Sequence, residues 1–158
     1  MIIIGIDPGY DRLGFAVIKK EPRQKEELLT SGCLSSDKNT DFAQRLLCLG
    51  IELEKIFITY NPDLLVIENL FITKNQKTAM KVAEVRGLIL YLAAKNNTAV
   101  KQMTPPEIKL AVAGYGNADK TQVTNMAKLL IKIPTKPKFD DEFDAIVIAL
   151  AGLPYLKQ

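Results

Sequence analysis

The 158-residue chain contains no histidine. That absence excludes Ser-His-Asp and Cys-His catalysis, two-histidine metal sites and any imidazole general base. An enzyme built from this sequence draws its acid–base chemistry from carboxylates, lysines, tyrosines or metal-bound water. Cysteine is scarce as well. Cys33 and Cys48 form no metal-ligand spacing and are too few for a disulfide scaffold, which predicts free thiols and a reducing compartment. Long apolar runs are missing. The start, Met1 to Asp7, lacks a basic segment and meets a charge at its seventh residue, unlike a signal peptide. The uncharged stretch from Ala145 to Leu156 is too short to span a bilayer and contains Pro154. The expectation is a cytoplasmic protein with no membrane partner. No internal repeat or low-complexity tract is visible.

What is present is ordinary for a soluble globular chain: 47% apolar and 25% charged residues. The length suits a single domain, 1–158, that buries a real core. Ile2 to Ile6 is a buried-strand run, followed by the turn chemistry of Asp7-Pro8-Gly9-Tyr10. Leu13 to Ile18 and Glu27 to Leu34 read as two further strands in an antiparallel meander. Apolar residues then recur at three- and four-residue steps from Phe42 to Tyr60, an amphipathic helix. Leu64 to Ile67 is a fully apolar strand closed by Glu68. A long helix is predicted from about Asn75 to Lys95, with Ala79, Val82, Ala83, Leu88, Ile89 and Leu92 available for burial. Ala99 to Met103 is a fifth strand. Thr104-Pro105-Pro106-Glu107 fits a capping box with proline at the first helical position. Beyond Gly114-Tyr115-Gly116-Asn117 a helix runs to about Leu130, with Asn117 able to cap it, and a last helix begins near Asp140.

The order β-β-β-α-β-α-β-α-α predicts an α/β fold, a five-stranded mixed sheet with helices on both faces. Ligands of such sheets sit at the carboxyl ends of parallel strands. Right-handed crossover makes the first and fourth strands parallel neighbours, so Asp7 and Glu68 emerge side by side. Asp140-Asp141-Glu142-Phe143-Asp144 adds more acid. A helix macrodipole accounts for Asp140 and Asp141 but less well for Asp144, a turn further in. Asp141 and Asp144 share one helix face. Four clustered carboxylates cannot all ionise without a counter-charge. Oxygen-only sites suit Mg²⁺ or Mn²⁺, and two such ions ~4 Å apart can activate water and stabilise the leaving oxygen of a phosphodiester.

The charge distribution points to a polyanionic substrate. From Phe71 to Phe139 there are twelve bases and three acids, a balance of +9, against −6 for the rest. Lys74, Lys77, Lys81 and Arg86 decorate the long helix and its approach; Lys109, Lys120, Lys128, Lys132, Lys136 and Lys138 follow. A basic middle beside an acidic centre is the pattern of a nuclease.

Four motifs carry a resemblance. Ile4-Gly5-Ile6-Asp7-Pro8-Gly9, Val66-Ile67-Glu68-Asn69-Leu70-Phe71, Ala113 to Lys120 and Asp141-Glu142-Phe143-Asp144-Ala145 are, in order and spacing, similar to those of the RuvC family of Holliday junction resolvases, the crossover junction endodeoxyribonucleases. The resemblance implies a ribonuclease H-like fold and a homodimer that cuts four-way DNA junctions in recombination and repair. It implies a Mg²⁺-dependent enzyme, two ions per site with Mn²⁺ able to substitute, leaving a 5′-phosphate and a 3′-hydroxyl. By motif position, the catalytic and metal-binding acids are Asp7, Glu68, Asp141 and Asp144. Some relatives have histidine where Asp141 stands. Lys120 matches a lysine implicated in catalysis and DNA handling, as does Lys109, and Phe71 an aromatic that stacks on bases near the cut. Lys74, Lys77 and Lys81 are further candidates for DNA contact. A branch-migration motor complex is a further partner to consider. Two other readings stay open on the residues: a ribonuclease H-like nuclease acting on RNA, and a non-catalytic junction binder.

Overall fold

The computed structural model describes residues 1–69 and 76–156, apart from the side chains of Gln76 and Lys77. The chain order is β1 (Ile2–Asp7), β2 (Arg12–Lys19), β3 (Glu27–Ser35), α1 (Phe42–Tyr60), β4 (Leu64–Glu68), α2 (Gln76–Lys95), β5 (Ala99–Met103), α3 (Pro105–Ala113), α4 (Lys120–Leu130) and α5 (Asp140–Ala151). A single 3₁₀ turn, Leu153–Tyr155, follows. The five strands form one sheet in the order β3-β2-β1-β4-β5. The β1–β2 and β2–β3 pairs are antiparallel, and β1–β4 and β4–β5 are parallel. This is the mixed sheet expected from a meander joined to two crossovers.

Strand alternation divides the core in two. Ile3, Ala16, Ile18, Leu64 and Val66 face α3, α4 and α5, and pack against Ile108, Val112, Val123, Ala127 and the apolar stripe of α5. Ile4, Ile6, Leu13, Val17, Leu65 and Ile67 point the other way, onto Leu49, Leu53 and Phe57 of α1 and Val85, Ile89 and Leu92 of α2. Each fully buried Ile, Leu, Val or Phe side chain among them contributes ~1.5–3 kcal/mol. Central β1 is therefore apolar on both faces, which explains its isoleucines at positions 2, 3, 4 and 6.

Two glycines let α5 lie against the sheet. A Cβ on Gly5 would run into the backbone of Ala145 and Ala149, and one on Gly14 into the Asp141 carbonyl group. The backbone of α5 thus rests directly on β1 and β2, which brings its acidic first turn to the strand ends.

Several local expectations need correction. Three helices, not two, follow β5, because the Thr104 capping box opens a separate helix that Gly114 ends in left-handed conformation. The cap of α4 is Asp119 rather than Asn117: its carboxylate accepts from the Gln122 N–H, and the Asp119 N–H donates to Gln122 Oε1. A carboxylate there also faces the positive end of the helix dipole. On α2, Ala83 is exposed, and the buried face is Val85, Arg86, Ile89, Leu92 and Ala93.

Candidate active site

Asp7 and Glu68 end neighbouring parallel strands. The last registered pair of β1 and β4 is Ile6 with Ile67, and each acid is the next residue. Both leave a fully buried isoleucine, so their carboxyl groups sit at the edge of the core rather than in open water. Asp144, one turn into α5, lies over the same edge. Burial raises the Asp7 carboxyl first, then the charges of Asp144, Asp141 and Glu68; it is pushed up to about 7, with Lys120 the one opposing charge. Burial also lifts Glu68, reinforced by Asp144 and opposed by Arg86. Asp144 is raised by burial and by Asp140 and Asp141, and Lys120 acts against the shift. The acids of β1, β4 and α5 therefore feel one another across three elements distant in sequence.

They do not form a ready-made cage. Among the described residues, no group of three acids converges tightly enough to hold an ion. Asp140, Asp141 and Asp144 of α5 each lie beside a cation instead. Asp141 Oδ2 is 2.9 Å from Arg12 Nε. That contact is an ion pair without hydrogen-bond alignment, since the same buried oxygen accepts no hydrogen bond. Lys120 Nζ donates to Asp140 Oδ2 at 3.2 Å and stands 3.9 Å from Asp144 Oδ2. An all-oxygen set of four acids, with the Asp7 carboxyl pushed up to about 7 and a buried Asp141 oxygen that accepts no hydrogen bond, fits a hard divalent cation as further counter-charge.

Glu68, Asp144, Lys109 and Lys120 line one cleft of about 230 Å³, floored by Ile108, Val123, Val147 and Ile148. Lys120 is the first residue of α4 and reaches this cleft from the helix start. Lys109, on α3, is half-buried on its opposite wall. Lys81 is elsewhere: its ammonium lies over the rings of Tyr10 and Phe42, at 5.2 and 5.5 Å. Phe71 and Lys74 lie outside the described residues, as does the side chain of Lys77.

Three arginines near the site have partners that the sequence patterns did not indicate, and Arg86, expected among the bases decorating α2, is one of them. Arg86 is buried, not a surface base, with one guanidinium nitrogen on the Glu68 carbonyl oxygen and another donating to Gln102 Oε1 at 2.8 Å. It ties the end of β4 to β5. Arg45 is buried too, and donates to Tyr10 O, Asp11 Oδ1 and Ser36 Oγ at 2.9, 2.7 and 2.9 Å, pinning the loop after Asp7. Their spacing held a signal. Arg45 falls four residues before Leu49 on the stripe continued by Leu53 and Phe57, and Arg86 sits between Val85 and Ile89. A base on an apolar stripe needs a partner in the interior. Arg12 carried no such mark, because its link to Asp141 spans most of the chain.

The family model for crossover junction endodeoxyribonuclease RuvC matches residues 3–152. The chain belongs to that family. A RuvC from Ruminiclostridium cellulolyticum is 41% identical over 95% of this chain and 90% of its own. The RuvC of Petrotoga mobilis is 40% identical over 94% of this chain and 91% of its own. Among solved structures, Thermus thermophilus RuvC in complex with a Holliday junction substrate superposes with a TM-score of 0.91 at 26% identity, covering 98% of this chain and 94% of that one. The yeast mitochondrial resolvase Ydc2 shares the fold, with a TM-score of 0.69 at 15% identity over 94% of this chain and 76% of its own. The ribonuclease H-like architecture implied by the RuvC motifs is thus the architecture found.

Proposed function

We propose that this RuvC family member is a single-domain, homodimeric endonuclease that resolves four-way DNA junctions by paired phosphodiester hydrolysis. The observation that carries the reading is the convergence of charge on Asp7. Burial, reinforced by the acids of α5 and β4, pushes its carboxyl up to about 7, and Glu68 and Asp144 line a cleft together with Lys109 and Lys120.

Asp7, Glu68, Asp141 and Asp144 are the residues that would hold divalent cations, Mg²⁺ by preference with Mn²⁺ as substitute, two per site. Such ions, when bound, polarise the phosphodiester and make water a stronger nucleophile. Asp7 must lose its proton to bind them, and its position at the core edge keeps competing water few. Arg86 fixes the carbonyl of Glu68, and so the direction in which that strand end presents its carboxylate. Lys120 brings a mobile positive charge to the acids, suited to charge developing on the phosphate oxygens. Lys109 is placed to contact a phosphate on the far wall. Phe71, three residues beyond Glu68, is proposed to stack on a base near the cut.

Two paired cuts need two sites related by a two-fold axis. The outward stripe of α2 suits such an interface. Met80, Ala83, Gly87, Tyr91 and Ala94 are all exposed and recur at helical spacing. A Cβ on Gly87 would meet nothing within 4 Å. The fold does not require a glycine there, whereas close approach of a second helix does.

The test is cleavage of a synthetic mobile four-way junction with Mg²⁺, beside matched duplex DNA and a matched RNA. Paired, symmetric nicks confined to the DNA junction are expected. Preferential RNA cleavage assigns the chain to RNA processing, and tight junction binding without nicking makes it a non-catalytic binder; either result overturns the reading.

A further inference from the structure

Phe139 is a residue whose identity neither helix capping nor core packing explains. It occupies the N-cap of α5, where Ser, Thr, Asp or Asn is favoured because a side-chain oxygen accepts from the first turn. Phe139 makes no such bond. It is not core either, being 43% exposed. The Arg12 guanidinium covers one part of its ring at 4.9 Å.

The ring partitions two clefts. One, of about 600 Å³, lies between α4 and the segment 131–139 and opens beside Lys120 and Asp140. Lys128, Lys132 and Lys136 line it together with Thr124 and Thr135, above an apolar floor of Ile131 and Phe143. The other, of about 590 Å³, is bordered by Gly9, Arg12, Lys38 and Asp141. Phe139 lines both.

The first cleft is strongly unbalanced in charge. Four lysines and one acid, Asp140, line it, and Lys120 already pairs with that acid. Lys128, Lys132 and Lys136 make no ion pair among the described residues. The macrodipole of α4 explains a lysine in its last turn, hence Lys128. It does not explain Lys132 and Lys136, which continue the four-residue spacing past the helix end. Bases along one wall and an apolar floor suit a strand whose phosphates lie along the lysines and whose sugars and bases lie inward.

We propose that this cleft carries one DNA strand away from the acid cluster, and that Phe139 stacks on an unpaired base at its entrance. The proposal rests on the junction-nuclease reading above and adds to it a strand path and a second stacking aromatic. Lys128, Lys132 and Lys136 hold phosphates, and Phe139 stands between this cleft and the one beside Arg12.

The experiment uses full-length protein carrying Asp7→Asn, so that DNA is bound but not cut. A four-way junction with 5-iodouracil placed in turn near the exchange point is irradiated, and the attached residue is located by mass spectrometry. Attachment at Phe139 is expected from at least one position. Binding is then followed by anisotropy across a salt series. Combining Lys128→Ala, Lys132→Ala and Lys136→Ala should lower the slope of log affinity against log salt by roughly 2–3 units. Phe139→Ala should leave the slope unchanged and weaken binding about tenfold. Phe139→Tyr should restore it and Phe139→Leu should not. The proposal is overturned if Phe139→Leu binds like the parent, if no attachment reaches Phe139, or if the triple variant keeps the full slope. If the parent protein shows no preference for a four-way junction over duplex, the junction reading itself has failed. If that preference is intact and the variants match the parent, only the strand path has failed.

Discussion

Asp7 faces Gly14 directly across the β1–β2 ladder. Gly14 in turn is the point where the Asp141 backbone rests on the sheet. One missing side chain therefore sets the height of α5 above Asp7. Gly14→Ala should lift the start of α5, at a cost of about 1–3 kcal/mol for overpacking against backbone that cannot yield. Urea denaturation reads the loss of stability. Cleavage of a four-way junction should fall further than stability alone explains, and full activity in a destabilised Gly14→Ala protein would separate α5 from the chemistry.

The four acids should differ in their tolerance. Asp7→Asn, Glu68→Gln and Asp144→Asn should each reduce cutting to background with the circular dichroism spectrum unchanged. Junction binding should persist or tighten, because a carboxylate facing phosphate is gone. Asp141→Asn should be milder, since Asp141 already shares its charge with Arg12. A parental cleavage rate in Asp7→Asn with Mg²⁺ would falsify the site assignment.

The shifted Asp7 carboxyl gives a pH dependence of known sign. Its folded value of about 7 lies above its ordinary value of 3.8. Between those values the native state keeps a proton that the unfolded chain has lost. The stabilisation is full below the ordinary value and disappears as pH rises through about 7. Cation-free protein should therefore lose thermal stability from pH 5.5 to pH 8, by at least ~1 kcal/mol from this group. Asp7→Asn should flatten that slope. Calorimetric Mg²⁺ affinity should move the opposite way and rise across the same interval, because binding expels the proton.

The outward stripe of α2 should govern association. Sedimentation should show a dimer at micromolar concentration, and Gly87→Glu or Tyr91→Glu should shift it to monomer with little change in melting temperature. A dimer indifferent to both would place the interface on another face.

Lysine and aromatic roles should separate kinetically. Lys120→Ala should lower the single-turnover rate at saturating protein with little change in affinity, as expected for a charge acting in the transition state. Lys109→Ala should lower the salt slope by about one unit. Phe71→Ala should cut poorly yet bind well, and unpaired bases at the junction centre should partly restore its rate. Recovery of the Lys120→Ala rate at saturation, or no benefit from unpaired bases, contradicts these roles.

The frame of the site was readable because its signals are local. An apolar run that stops at a carboxylate announces a strand end, and Asp7 and Glu68 are both of this kind. The pairing of β1 with β4 followed from crossover handedness. Helix α5 was marked by acids followed by an unbroken apolar stretch. What escaped notice depends on contacts between distant residues. Arg12 finds Asp141, and Arg86 finds Gln102 and the Glu68 carbonyl, only after the sheet has formed. Asn117 and Asp119 are both good caps by type. The choice between them is made by Gln122, which closes the capping box on Asp119.

The chain order of the acids has a consequence for synthesis. Asp7 and Glu68 leave the ribosome long before Asp141 and Asp144, which ride on the helix that packs on β1 and β2. A nascent chain thus carries half of the acid cluster without the other half. Because α5 carries Asp141 and Asp144, a copy truncated before α5 lacks both and should fail to cut a four-way junction.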